Sequence, residues 1–176
     1  MNRIFKVLGL IGCVIFVLLL PALAQSESEV QAVREHFEEG DPGMQAWFRE
    51  AYGYAVFPSV GKGGFGIGGA HGKGLVYEQG NLVGRSTLTQ LTIGFQFGGQ
   101  AFSEVIFFKN KQAFDHFTQE NFEFGAQVSA VALTAGISAD LDYSGGVAIV
   151  TAPKGGLMYE ASIGGQKFSF QKIKDQ

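Results

Sequence analysis

Apolar residues recur at helical spacing in two stretches that begin near residue 26. Val30, Val33 and Phe37 fall at i, i+3 and i+7, which predicts a helix with one buried face, ending at Gly40. Ser26 with Glu29, and Ser28 with Gln31, offer capping-box pairs at its start. Asp41 is a good N-cap with Pro42 at the first helical position, and Met44, Trp47, Phe48 and Ala51 form a second apolar stripe ending near Gly53. From Tyr52 the period changes to two. Residues 52–58 read as a strand ending at Pro58, and Leu91, Ile93, Phe95 and Phe97 share one face of another. Residues 101–109 continue as a strand until Asn110, which can cap a short helix carrying Ala113, Phe114 and Phe117 inward. Residues 127–136, 145–152, 156–163 and 167–173 read as further strands. The pattern predicts a mainly β (α+β) single domain with seven or eight strands, two N-terminal helices and one short inserted helix.

The segment GKGGFGIGGAHGKG, residues 61–74, raises a chemical question. Gly64, Gly66 and Gly69 have the spacing G-x-G-x-x-G. A dinucleotide fingerprint needs a helix opening at the third glycine and an acidic residue about 20 positions later. Here Gly72 and Gly74 would spoil such a helix, and no Asp or Glu occurs between Glu78 and Glu104. The Walker A pattern fails too, since Gly74 replaces Ser or Thr after Lys73. Strand parity gives a better account. Gly64, Gly66, Gly68, Ala70 and Gly72 lie on one face, with Phe65 and Ile67 on the other. Glycine is costly inside a strand, so a bare face implies close approach of another group or a sharp bend. Gly64, Gly66, Gly68, Gly69 and Gly72 are therefore expected to be structural, shaping a curved antiparallel sheet or partly closed barrel. The helix bearing Trp47 and Phe48 is the expected aromatic partner of that bare face.

The first residues change the compartment. Arg3 and Lys6 precede an apolar run from Val7 to Leu20, and Ala22-Leu23-Ala24 offers an A-x-A site. This order predicts a secretory signal peptide over 1–24 and a folded domain over 25–176, exported to the periplasm or envelope. Leu10-Ile11-Gly12-Cys13 also resembles a lipobox, which would make Cys13 a lipidated N-terminus, but a very apolar segment would then remain behind it. Cleavage after Ala24 removes the single cysteine and leaves eleven basic residues against sixteen acidic ones. Disulfides and thiolate chemistry are thereby excluded from the mature domain, and the acidic balance argues against nucleic-acid binding.

Catalytic patterns are not found. Ser59-Val60-Gly61-Lys62 matches S-x-x-K, but that serine must open a helix and here follows Pro58 in a strand. There is no G-x-S-x-G and no H-E-x-x-H, and His36, His71 and His116 are scattered. Asp140 and Asp142 read as a solvated turn. No cofactor or metal is implied. What remains is basic residues among glycines: Lys62, His71 and Lys73, then Arg85, Lys109, Lys111 and Lys154. Compact backbone beside lysine can form an anion-binding concavity, which fits a lipid headgroup.

Residues 51–80, AYGYAVFPSVGKGGFGIGGAHGKGLVYEQG, followed by LTIGFQFGGQAFSEVIFF and FGAQVSAVALTAG, resemble the SYLF domain, a family of lipid-binding and actin-associated modules. The most specific part is A-x-G-x-A-x-F-P, Ala51 to Pro58, running into the glycine repeat, supported by Gly98-Gly99-Gln100 and GLMYEASIGG. The resemblance implies a non-enzymatic module that binds membrane lipid, here phospholipid of the cell envelope. Two departures stand out. Residues 26–40 carry five glutamates against Arg34 alone, where lipid-binding relatives have a basic amphipathic helix, and Gln127 stands where an aspartate is expected. The acidic helix keeps open an alternative role as a periplasmic interaction or scaffold module. Alternating aromatic strands also admit a small outer-membrane β-barrel, against which the helices and the polar ending KIKDQ count.

Overall fold

The computed structural model describes residues 26–65, 67–93, 100–119, 122–125, 129–154 and 165–173. Helix α1 covers residues 26–40 and α2 covers Met44–Glu50. Strands β1 (Gly53–Phe65), β2 (Ile67–Glu78), β3 (Asn81–Ile93) and β4 (Gln100–Phe108) follow, then α3 (Lys111–Phe117). The chain continues through β5 (Phe122–Glu123), β6 (Val131–Ala132), α4 (Ile137–Asp140), β7 (Val147–Pro153) and β8 (Gln166–Lys172). These strands form one sheet in the order β5-β8-β3-β2-β1-β4-β7-β6, antiparallel except for the β6–β7 pair.

The sheet is curled, and ring contacts show how tightly. β1 and β8 are three strand spacings apart, about 14 Å in a flat sheet, yet the Phe57 and Phe168 rings lie 5.6 Å apart. The concave face gathers Ala55, Phe57, Val60, Val76, Leu88, Phe102, Ile106, Ile149 and Phe168 into one core, closed at one end by Phe114 and Phe117 of α3. The other face carries Tyr54, Val56, Leu75, Val105, Phe107 and Val150 under α1 and α2. Helix α1 contributes Val30, Val33 and Phe37, as its spacing predicts, and α2 contributes Met44 and Phe48. The result is the curved, mainly β domain expected from the sequence.

The glycine segment is a β1–β2 hairpin in which Gly64 pairs with Gly68 and Gly63 with Gly69. Gly66 lies outside the described residues. The bare positions of β2 do face one way, toward the concave side with Ala70 and Val76. Their neighbours are not α2. A Cβ on Gly72 would sit 2.8 Å from the Val60 side chain, and one on Gly74 2.5 Å from the Val56 carbonyl oxygen and 2.7 Å from the Phe57 ring. Trp47 and Phe48 dock on the opposite face, against Phe107. The close approach that glycine permits here is β1 folding onto β2.

Other expectations change in detail. Pro58 does not end β1: register shifts at Val56/Ser59 toward β2 and at Phe57/Val60 toward β4 mark a bulge around it. Proline lacks the N–H of a regular ladder, and a bulge is where a strand tolerates it. Helix α2 begins at Met44, not Pro42, although the Asp41 carboxylate still accepts from Gly43 N at 3.0 Å. Its other oxygen accepts from Ser138 N at 2.7 Å, and that backbone bond, first among several, holds the Asp41 pKa below the usual carboxylate value. Asn110 caps α3 as expected, accepting from Ala113 N at 3.0 Å. Residues 127–136 are not one long strand: among the described residues of this range only Val131–Ala132 pairs, and Gly136, at φ 83°, turns the chain into the additional helix α4. The strand expected over 156–163, Phe95, Phe97 and Gln127 lie outside the described residues. Leu91 lies on the outward side of β3 with 74% of its surface exposed.

Candidate functional site

Seven basic residues were candidates from sequence, and the strand register separates them. Lys62 pairs with Ala70, which belongs to the concave core, so Lys62 is on the concave side. Lys73 and His71 share the strand parity of Leu75, which belongs to the helix-covered face. Arg85 is paired directly with Leu75, and Lys73 with Thr87. His71, Lys73 and Arg85 thus share the outer face of β2 and β3, whereas Lys62 points to the other side. Sequence proximity had grouped Lys62 with Lys73, but twelve residues of hairpin reverse the chain and parity separates the two. Lys109 and Lys111 sit at the opposite end of β1, beyond Phe108. The Lys111 ammonium is bound to both Asp115 oxygens at 2.7 Å, which raises its pKa, and Lys109 lies 5.8 Å from the Tyr143 ring centroid. Lys154 follows β7 and lines a separate hollow with Val33 and His36 of α1.

Where the start of α1 passes over the sheet, a cleft of about 470 Å³ opens. Lys73, Arg85 and Thr87 line it from the sheet, Ser26, Glu29 and Val30 from the helix. Lys73 is exposed and Arg85 half-buried, and neither makes an ion pair among the described residues. Among the described residues Glu29 is the one carboxylate lining the cleft. Two cations on adjacent strands, with Thr87 opposite Lys73 and two residues along β3 from Arg85, suit a monoanionic or dianionic oxygen group. Beyond the cleft the outer face of β3 continues through Thr89 to exposed Leu91.

The one arginine of α1 serves the core edge instead. The Arg34 guanidinium lies 5.0 Å from the Phe48 ring centroid and 5.6 Å from that of Tyr54, and 3.9 Å from Glu38. The solvent face of α1 is left acidic. Among the described residues no three His, Cys, Asp or Glu side chains are grouped to hold a metal.

Sequence reasoning missed one feature of the interior. Glu104 is buried inside the half-barrel, where Gln166 Nε2 donates to its Oε2 at 3.0 Å. A signal was present: Glu104 occupies an inward position between the apolar Phe102 and Ile106 of the same strand.

A family model described as Ysc84, Las17-binding protein actin regulator, matches residues 89–174. Glu104 and Gln166 fall within that match, while His71, Lys73 and Arg85 precede it. Beta cell expansion factor A of Aeromonas veronii is 30% identical over 134 residues, 74% of this chain and 50% of that protein. The chain therefore spans about half the length of that relative. The Ysc84 model is that of the SYLF domain, a family of binding modules linked in eukaryotes to lipid binding and actin regulation. With the predicted curved sheet in place, the chain matches the SYLF (Ysc84) family over residues 89–174, a span that takes in β4, β7 and β8.

Proposed function

We propose that the protein is an exported, non-catalytic module of the cell envelope that holds anionic phospholipid headgroups in the cleft between α1 and the outer face of β2–β3. The observation that carries this reading is the pair Lys73 and Arg85, on adjacent strands and one face, without a carboxylate partner among the described residues. The family match supports lipid as the ligand class, and the N-terminal sequence supports the envelope as the location. Helices cover much of the outer face of β1, β4 and β7, which favours a peripheral module over a barrel wall that must face lipid all round.

Each cation near an anionic surface contributes about 1 kcal/mol, and reversing it costs about as much again. The double variant Lys73→Glu, Arg85→Glu should therefore lose on the order of 4 kcal/mol, a loss of more than a hundredfold in affinity for phosphatidylglycerol vesicles. Flotation of the purified protein with such vesicles measures this. Lys62→Glu, on the concave side, should bind within about threefold of wild type, less than 1 kcal/mol. Binding of wild type should also weaken with salt, because exposed charges are screened. Equal binding by wild type and the double variant would remove the cleft from the function. Absence of vesicle binding by wild type would shift the reading to a protein partner for the acidic face of α1.

A further inference from the structure

We propose that Glu104 and Gln166 form a two-bonded acid–amide clasp across the interior of the half-barrel, and that the clasp holds only while Glu104 carries a proton, so that deprotonation unlatches β8 from the curl. A flat sheet would place β4 and β8 four strand spacings apart, about 19 Å. The curl brings Gln166 Nε2 within 3.0 Å of Glu104 Oε2. Among the described residues this is a hydrogen bond between side chains that spans the concave space, separate from the strand ladders.

The atoms left over specify the second bond. Glu104 Oε1 and Gln166 Oε1 are both buried without a hydrogen-bond partner. Two oxygen acceptors cannot bond each other unless one carries hydrogen. A carboxylic acid and a primary amide pair through N–H···O and O–H···O together. The structure contains the first of these bonds, and the two unused oxygens are those that the second requires.

The surroundings favour the neutral acid. Glu104 is fully buried among Phe57, Phe102, Ile106 and Thr151, its neighbours by ladder or strand. The charged or titratable groups on the concave side of each packed element are few. Lys62 lies on β1 toward the hairpin, and Lys172 lies on β8 at its far end. Glu78 of β2 accepts from the Tyr52 hydroxyl at 2.7 Å, and α3 presents the Lys111–Asp115 pair and His116, which stands behind Phe122. Strands β3, β4 and β7 add none besides Glu104 itself, and no ion pair reaches it among the described residues. Burial accordingly raises the Glu104 pKa to about 7, against the smaller lowering effect of the Gln166 bond.

The sign of the effect follows. A carboxyl whose folded pKa is raised is protonated in the folded state at pH values where the open state has already lost the proton. Closure is strongest below the ordinary carboxylate pKa and weakens as pH rises toward about 7. Gln166 also anchors the corner of the sheet, since its carbonyl accepts from Phe124 N at 3.0 Å. Unlatching therefore loosens β5 and β8 and uncovers Phe168.

Hydrogen exchange of the full protein at pH 5.5 and 8.5, corrected for intrinsic rates, reads this directly. Protection of the amides of Gln166–Lys172 should fall on the order of tenfold at the higher pH in wild type. In Glu104→Gln, whose amide supplies both bonds at every pH, the fall should be under about twofold. Equal losses in both proteins, or no loss in wild type, would overturn the clasp. Carboxyl-carbon NMR of wild type gives an independent reading that needs no variant. One glutamate should titrate near 7, and titration of every glutamate below about 5, the ordinary range, would overturn the proposal as well.

Discussion

Gly74→Ala is expected to destabilise the protein by about 3 kcal/mol, the upper part of the range for forcing atoms into a packed site. The new Cβ would lie 2.5 Å from the Val56 carbonyl oxygen and 2.7 Å from the Phe57 ring. The first neighbour is backbone, so it cannot swing aside as a flexible side chain would. Relief requires β1 and β2 to separate at the bulge around Pro58. Gly61→Ala is the matched control from the same glycine segment. Nothing lies within 4 Å of its added Cβ, and the loss of unfolded-state freedom should stabilise by about 0.5 kcal/mol. Denaturant midpoints of the two variants measure both effects. If both destabilise equally, the glycines serve something other than the folding of β1 onto β2.

The second large effect is at Phe107. Its ring is fully buried and touches Trp47 at 5.6 Å, Phe48 at 5.0 Å and Tyr54 at 6.5 Å between centroids. It is the post on which α2 stands. Phe107→Ala should cost about 4 kcal/mol, from lost transfer energy and the cavity left under the helix. That is a large share of the 5–15 kcal/mol, roughly, that stabilises a domain. Trp47 is the only tryptophan of the chain, so its emission reports this site alone. The variant should unfold at lower denaturant, and its native emission should shift to the red as water reaches the indole. Unchanged stability with unchanged emission would mean that α2 does not rest on this ring.

Helices α1, α2 and α3 were legible in the sequence because their signals are local, whereas the short α4 was not. Val30, Val33 and Phe37 repeat at the helical period, and Asn110 caps α3 with a bond that spans three residues. The glycine face was legible as a parity pattern, but its partner was not. Which group approaches Gly72 and Gly74 depends on how β1 bends at Pro58, and the sequence pattern alone equally allows a helix to fill the gap. The cleft was half legible. Lys73 and His71 were named from their glycine neighbours, and Arg85 joins them through the β2–β3 register. Lys62 was grouped with them because it is near in sequence, and the reversal of the hairpin puts it on the other face. The Glu104–Gln166 contact is 62 residues long-range, and neither residue has a local feature that names the other. Only the curl of the sheet brings them together.

Where an anionic lipid touches the protein decides the function. Amide chemical shifts of the isotopically labelled protein, titrated with short-chain phosphatidylglycerol below its micelle concentration, give that answer residue by residue. The largest changes should fall in the outer-face segments, residues 71–75 and 85–89, and in the turn of α1 around Glu29. Changes at Lys62, Lys109, Lys111 and Lys154, which the fold places elsewhere, should be small. Changes concentrated at those four lysines, with the cleft silent, would show that the lipid is not held between α1 and the outer face of β2–β3.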